Sequence, residues 1–310
     1  MLEVIDLRKV FKDNVAVNDV NMYLGRGESV GLVGPNGAGK STTIAMISTL
    51  IRPTSGDVKL NGASVLVDAA PMRAVLGVVP QEVALYPELS AQENLEFFGS
   101  LYGLRGKDLA AAVDDALELV GLSDRRKDVI KKYSGGMKRR INIAAALLHN
   151  PEFVIMDEPT VGIDPQSRNH ILETVRTLNR ERGLTVLYTS HYMEEVEQLC
   201  DRIYVMDHGK VIASGTNNEI KAILAADNTI LLQVESRNAG LETRLAALPA
   251  VRQVTQTDDG LKLITSHDNG VLSEVFKAAE AEGAVISSLG VQKPSLEDVF
   301  LHLTGRTLRD

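Results

Sequence analysis

The sequence predicts an α/β protein in two domains: a largely parallel sheet covered by helices over residues 1–220, then a smaller α+β unit over residues 228–310. Three observations carry this reading. The apolar run Val30-Gly31-Leu32-Val33 passes through the glycine-rich stretch GPNGAGKST into a helical pattern. Apolar runs alternate with helical patterns from Phe153 onward, as in parallel sheets with covering helices. After Ala226 the order restarts as β-α-β-β-α-β, the split βαβ pattern. At 310 residues the chain is longer than one core usually serves, which agrees with two domains.

Taken in order, LEVIDLRKV, AVNDVNMYL and ESVGLVG alternate or run apolar and read as strands. A helix follows from Lys40 to about Leu50. The stretch from about 86 to 150 reads as mostly helical, with Ser90 as N-cap of AQENLEFFGSLYG and Pro151 closing the last helix. The strands FVIMD and TVLYTS then alternate with the helices PQSRNHILETVRTLNRERG and HYMEEVEQLCDR, and IYVMDHGKVIASG reads as a hairpin turning at Asp207-His208-Gly209. A domain boundary is expected between residues 216 and 228. Beyond it come strand TILLQVE, helix LETRLAALPA, strands VRQVTQ and GLKLITS about Asp258-Asp259-Gly260, helix VLSEVFKAAEAEG, strand AVISSLGV and helix SLEDVFLHLTG.

Composition excludes several classes. With 44% hydrophobic and 24% charged residues the chain is neither disordered nor fibrous. A net charge of −8 argues against nucleic acid as partner, since phosphate neutralisation needs clustered Lys and Arg. The basic clusters Arg125-Arg126-Lys127 and Lys138-Arg139-Arg140 are short. The single cysteine, Cys200, fits a reducing compartment and reads as a packing residue. Met1 leads straight into a strand pattern, and no window offers a spanning run of apolar residues. The expected location is therefore cytoplasmic, with any membrane role supplied by a partner.

GxxxxGK[ST] is matched by Gly34, Gly39, Lys40 and Ser41. In such a loop, backbone N–H groups and the following helix start face phosphate oxygens, Lys40 adds a charge, and Ser41 can ligand magnesium. The plainer alternative is a glycine-rich turn before an ordinary helix. A second requirement, a carboxylate on a neighbouring strand, is met by FVIMDEP: Asp157 ends an apolar strand and Glu158 follows. Open α/β sheets bind ligands at that strand end, and the pair can divide the work of holding metal and orienting water.

YSGGMKRR, residues 133–140, would alone be a turn with Ser134 as N-cap of a basic helix. Together with the preceding motifs it resembles the signature of ATP-binding cassette (ABC) ATPases, and the resemblance covers residues 1 to about 220. It implies a P-loop NTPase fold of ABC type with a helical signature subdomain, and it assigns roles to motifs in the family's order. Phe11 would stack on adenine, and Gly34, Pro35, Asn36, Gly37, Ala38, Gly39, Lys40, Ser41 and Thr42 form the Walker A loop. Gln81 in VVPQE is the Q-loop glutamine, which reaches magnesium together with Ser41 and Asp157. Ser134, Gly135 and Gly136 are the signature, Asp164 in VGIDP the D-loop, and His191 in TSHYMEE the switch histidine. Read singly, Phe11 is a core residue, Gln81 a loop residue and His191 a helix-start histidine. One departure stands out: Tyr133 occupies a position where the family usually has leucine.

The resemblance further implies that two such subunits face each other head to tail, with ATP and magnesium between the Walker A loop of one and the signature of the other. Glu158 would be the general base and His191 the γ-phosphate sensor. Lys40 would offset developing charge, and an identical second chain would give two competent sites. One cassette with no spanning helix suggests a transporter subunit working with an integral membrane permease at the inner face of the membrane. Phe97, Phe98, Leu101 and Tyr102 are either core or part of the groove for that permease. The α+β tail, ferredoxin-like in order, ends in KPSLEDVFLHLTGR and is similar to bacterial drug and antibiotic exporters of the daunorubicin-resistance type. Leu296, Val299, Phe300 and Leu303 form one helix face, for packing or for a dimer contact. The competing class is a soluble ABC ATPase with a regulatory or assembly role and no permease.

Overall fold

The computed structural model describes residues 1–224, 227–235, 239–257, 260–266, 270–292 and 295–305. Two compact units divide the chain, Met1–Asn217 and Asn218–Thr307. The first begins with strands β1 (Leu2–Phe11), β2 (Asn14–Leu24) and β3 (Ser29–Val33), then helix α1 (Lys40–Ile47). Next come β4 (Ser55–Leu60), β5 (Ala63–Ser64), α2 (Ala70–Val75) and β6 (Leu76–Val79). A helical stretch follows with α3 (Ala91–Leu101), α4 (Gly106–Leu119) and α5 (Gly135–Leu147). The unit closes with β7 (Phe153–Met156), α6 (Pro165–Arg182), β8 (Thr185–Thr189), α7 (Met193–Leu199), β9 (Arg202–Asp207) and β10 (Lys210–Thr216).

These strands form two sheets. The six-stranded sheet has the order β10-β9-β3-β8-β7-β6, parallel throughout except for the β9–β10 hairpin. That hairpin turns at His208 and Gly209, both at positive φ, which suits a tight two-residue turn. The first two strands do not join it. They pair antiparallel with β4 and β5 in a separate sheet ordered β2-β1-β4-β5. Alternation along β1 and β2 announces a half-buried strand but not its partner, and the antiparallel sheet is where that alternation leads. Helix α1 joins the two sheets: Ile44, Met46 and Ile47 share one core with Leu2, Val17 and Val58 and with Leu32, Ile155 and Leu187.

The helical stretch has a core of its own, including Leu95, Leu117, Ile130 and Ile141. Ser90 caps α3 in a full capping box with Glu93. Of the aromatic segment in α3, Phe98 is packed on that core, but Phe97, Leu101 and Tyr102 are exposed, so a core role fails for these three. Cys200 is buried and its thiol is pushed up to about 12 by burial, which leaves it unreactive.

The short helix α8 (Asn217–Ala222) spans the point in the sequence where the second unit begins. It continues with β11 (Asp227–Val234), α9 (Ala239–Ala246), β12 (Val251–Thr257), β13 (Gly260–Ser266), α10 (Val271–Ala281), β14 (Ile286–Gln292) and α11 (Leu296–Thr304). Its antiparallel sheet runs β12-β13-β11-β14, with β11 between its two hairpin-distant partners as in a split βαβ fold. Residues 225–226, 258–259, 293–294 and 306, named in the sequence reading, lie outside the described residues.

SLEDVF explains itself here. Ser295 caps α11 in a capping box with Asp298, whose Oδ2 also accepts from Thr229 Oγ1 at 3.2 Å. Its Oδ1 pairs with Lys262 Nζ at 2.7 Å. Leu296, Val299 and Phe300 are buried within the chain and Leu303 is half-buried, which favours packing over a dimer contact for this face. Asp298→Ala strands a nearly buried ammonium and three donors, and we expect it to cost roughly 3 kcal/mol in this unit. Urea unfolding followed by a probe in residues 227–305 measures this, and an unchanged midpoint would refute it.

Candidate functional site

Strand β3 is buried along its whole length and delivers the chain to Gly34 at the carboxyl edge of the parallel sheet. From there residues 34–39 wrap back to start α1. Gly39 has φ +103, and a side chain there would lie 2.6 Å from the Ala16 carbonyl, so only glycine serves. The loop is latched to its neighbours, with Gly209 N–H donating to the Ala38 carbonyl at 3.0 Å and Asn18 N–H to Gly209 at 2.8 Å. Lys40 is buried, and its ammonium donates to the carbonyls of Gly34 at 2.7 Å and Pro35 at 3.2 Å. Burial lowers its pKa, while the nearby Glu158 and Asp157 act in the opposite direction.

Two strands away, β7 ends in Asp157 and Glu158. One hydroxyl from the intervening strand holds both: Thr189 Oγ1 donates to Asp157 Oδ1 at 2.7 Å and accepts the Glu158 N–H at 2.8 Å. Glu158 is buried and has φ +46, a conformation costly for a side-chain-bearing residue and typical of functional sites. Its Oε2 meets two other groups, accepting from Gln81 Nε2 at 3.3 Å and lying 3.5 Å from His191 Nδ1. Gln81 comes from the segment after β6 and His191 from the segment after β8, so three strand ends converge on one carboxylate.

A cavity of about 550 Å³ opens beside this cluster. Its lining includes Phe11, Val15, Ala16, residues 36–42, Gln81 and Glu158. Phe11 is 47% exposed and carries Lys9 Nζ 5.0 Å above its ring, so the core reading of this residue fails. Ser134, Gly135, Gly136 and Asp164 are not among the residues lining this cavity. They form a second locus at the first turns of α5 and α6. Ser134 Oγ accepts the Met137 N–H at 3.2 Å, and Asp164 caps α6 through the Ser167 N–H at 2.9 Å. Hydrogen bonds from Ser167 hold the Asp164 carboxyl below its usual range.

The profile of the ABC transporter family matches residues 17–161, and that of the DrrA1-3-like C-terminal domain matches residues 215–304. Over its full length the chain is 50% identical to the linearmycin resistance ATP-binding protein LnrL of Bacillus subtilis, covering 100% of both. It is 39% identical to the daunorubicin resistance ATP-binding protein DrrA3 of Streptomyces coeruleorubidus, covering 96% of this chain and 93% of that one. The chain belongs to the ABC transporter ATP-binding subunits. A solved ATP-binding subunit of an ABC transporter superposes with TM-score 0.65 and 32% identity over 72% of this chain and 92% of its own. The cassette MJ0796, solved as a post-hydrolysis dimer bound to ADP and Pi, gives TM-score 0.64 and 27% identity over 70% of this chain and 98% of its own.

This ABC subunit is an ATP hydrolase, and subunits of its kind dimerise and work with membrane permeases. Among its described residues no helix is long and apolar enough to cross a membrane. Tyr133, in the leucine position before the signature, is buried and donates its hydroxyl to the Arg125 carbonyl at 2.7 Å, so the substitution is accommodated. Sequence reasoning missed Arg139. It reads as one of a basic cluster, yet it is buried and its guanidinium donates to the carbonyls of Pro80, at 2.7 Å, and Gln81. Its place on the inward face of α5 was the available signal. Thr189 was missed too, because a threonine in an apolar strand ordinarily means only β propensity.

Lys40 generates a test with a sign. Its buried ammonium penalises the fold fully at neutral pH, and the penalty fades as pH climbs through its lowered pKa toward 10.5. Relative to Lys40→Met, the parent should therefore gain stability as pH rises into that window. Paired urea titrations between neutral pH and 10.5 measure the gap, and a pH-independent gap would be the contrary result.

Proposed function

We propose that the chain powers export of drug-, antibiotic- or lipid-like molecules through a separate permease, as one of two identical subunits that close on ATP and part after its hydrolysis. The export reading is carried by the C-terminal unit and the full-length likeness to linearmycin and daunorubicin resistance ATP-binding proteins. The chain would sit at the cytoplasmic face of the membrane through that permease. The exposed Phe97, Leu101 and Tyr102 suit a surface that receives it.

In this reading Phe11 stacks on adenine, and residues 34–42 cradle the phosphates with their N–H groups and the start of α1. Lys40 turns from its two carbonyl acceptors toward phosphate oxygens. Ser134, Gly135 and Gly136 of one subunit, with Asp164 beside them, complete the site of the other, which accounts for their standing outside the cavity. The donors Ser41, Asp157 and Gln81 are all hard oxygen ligands. Such a set fits magnesium, which takes few protein ligands and completes its shell with phosphate and water. Bound there, magnesium would withdraw charge from the phosphate oxygens. Glu158 takes the proton of the attacking water, and His191, already beside Glu158 Oε2, holds water and base in line. Gln81 reports the state of that carboxylate to the segment that Arg139 grips.

Glu158→Gln keeps shape and removes the base. It should leave ATP affinity intact, lower kcat by about 10²–10⁴-fold and accumulate an ATP-bound dimer visible by light scattering. Parental turnover would refute the base, and a strictly monomeric ATP complex would refute the shared site. Detergent extraction and affinity purification of the full chain should recover a polytopic membrane protein. Soluble partners alone would favour a permease-free machine.

A further inference from the structure

Behind Glu158 and His191 lies a buried carboxylate to which the steps above give no part. Glu195, in the first turn of α7, is 3% exposed. Its Oε2 accepts three hydrogen bonds, from Thr160 Oγ1 at 2.8 Å, Tyr188 Oη at 2.9 Å and Ser190 Oγ at 2.8 Å. Its Oε1 faces Arg168 Nε at 3.5 Å, an ion pair in which both charges are largely withdrawn from water. Burial, with Glu195 alongside, pushes the Tyr188 phenol well up, so it stays a donor. The donors come from segments that carry the reacting groups. Thr160 is two residues after Glu158, Ser190 directly precedes His191, and Arg168 stands in the first turn of the helix that Asp164 caps.

We propose that Glu195 is a positioning residue for ATP hydrolysis, tying the turn after β7, the segment after β8 and the start of α6 to one point so that Glu158 and His191 meet. This rests on the reading of Glu158 as base. Glu158 holds a positive-φ backbone, which persists only where neighbours over-determine it. Thr189 grips that turn from its front through the Glu158 N–H, and Glu195 grips it from behind through Thr160. On the other side Ser190 Oγ, donating to Glu195, accepts the Tyr192 N–H at 2.9 Å, which brackets His191. Arg168 also lies over the Tyr192 ring at 4.3 Å. Without the carboxylate, three hydroxyls and a guanidinium lose their common partner and the bracket slackens. Glu195, Thr160 and Ser190 themselves do not line the nucleotide cavity.

The test compares Glu195→Ala, Glu195→Gln, Thr160→Val and Ser190→Ala in the full-length chain, with kcat, ATP affinity by titration, and melting temperature measured for each. Glu195→Ala should lower kcat by about 10–100-fold and leave Kd within about twofold, because it disturbs the transition-state arrangement and not ground-state binding. Glutamine keeps an acceptor oxygen for the hydroxyls but not the charge that faces Arg168, and should recover part of the loss, with kcat above that of Glu195→Ala. Thr160→Val and Ser190→Ala should each lower kcat about 3–10-fold at unchanged Kd, and they decide the matter if Glu195→Ala does not fold. Parental kcat in Glu195→Ala, parallel losses of kcat and affinity, or a glutamine variant no better than alanine would overturn the proposal. Where Glu195→Ala does not fold, parental kcat in both hydroxyl variants does so. Glu158→Gln run alongside separates the two readings. An inactive Glu158→Gln beside a fully active Glu195→Ala removes only the positioning role, whereas an active Glu158→Gln removes the base itself.

Discussion

The site exists only while three parallel strands keep their register. β3, β8 and β7 lie side by side, with Leu32 opposite Thr189 and Met156 opposite Tyr188. That pairing brings the loop of residues 34–39, the His191 segment and the two carboxylates to a common edge. Because side chains alternate along a strand, a slip of one residue would turn Thr189 away from Asp157 and Glu158 and place Tyr188 there instead. The buried runs that hold the register are also the core of the unit, so fold and site have one foundation.

Electrostatics follow from the same convergence. Lys40 is buried, and the carboxylates of Glu158 and Asp157 act on it from the end of β7. Adding a polyphosphate makes the site strongly anionic. In the proposed reading, backbone N–H groups and the start of α1 would offset part of that charge, at about 0.3–1 kcal/mol for each favourable helix-end contact. In the proposed reading a divalent cation would offset part of the remainder. Were magnesium held there through Ser41, Asp157 and Gln81 as proposed, phosphate oxygens would complete its shell, and metal binding and nucleotide binding would be coupled.

Local patterns were legible and long-range ones were not. GPNGAGKST, Asp157-Glu158 and the Ser90 and Ser134 caps declare themselves because loop, strand end and cap are each written within a few residues. The split βαβ order of the second unit was equally plain, since each element there has its own period and punctuation. The antiparallel sheet of β1, β2, β4 and β5 was not, because alternation names a face and never a neighbour. Residues 52–85, with short strands and a two-turn helix, are too brief for periodicity to speak. Arg139 and Glu195 were hidden for a further reason. Charged residues ordinarily belong on the surface, and only the fold shows that their partners are carbonyls and hydroxyls, among them Pro80 and Thr160 distant in sequence.

The signature glycines join both arguments. At Gly136 a side chain would stand 2.2 Å from Ser167 Oγ, so the first turns of α5 and α6 can meet only if this residue has none. Ser167 is itself the residue whose N–H satisfies Asp164. Packing within one chain thus demands glycine at the place where a partner's phosphate would demand bare backbone. The two demands reinforce each other: the tight helix contact fixes the N–H groups of residues 134–136 before any nucleotide arrives, and a fixed donor set binds with less ordering cost than a mobile one. A second subunit's ATP would then close onto a surface already shaped by the core behind it.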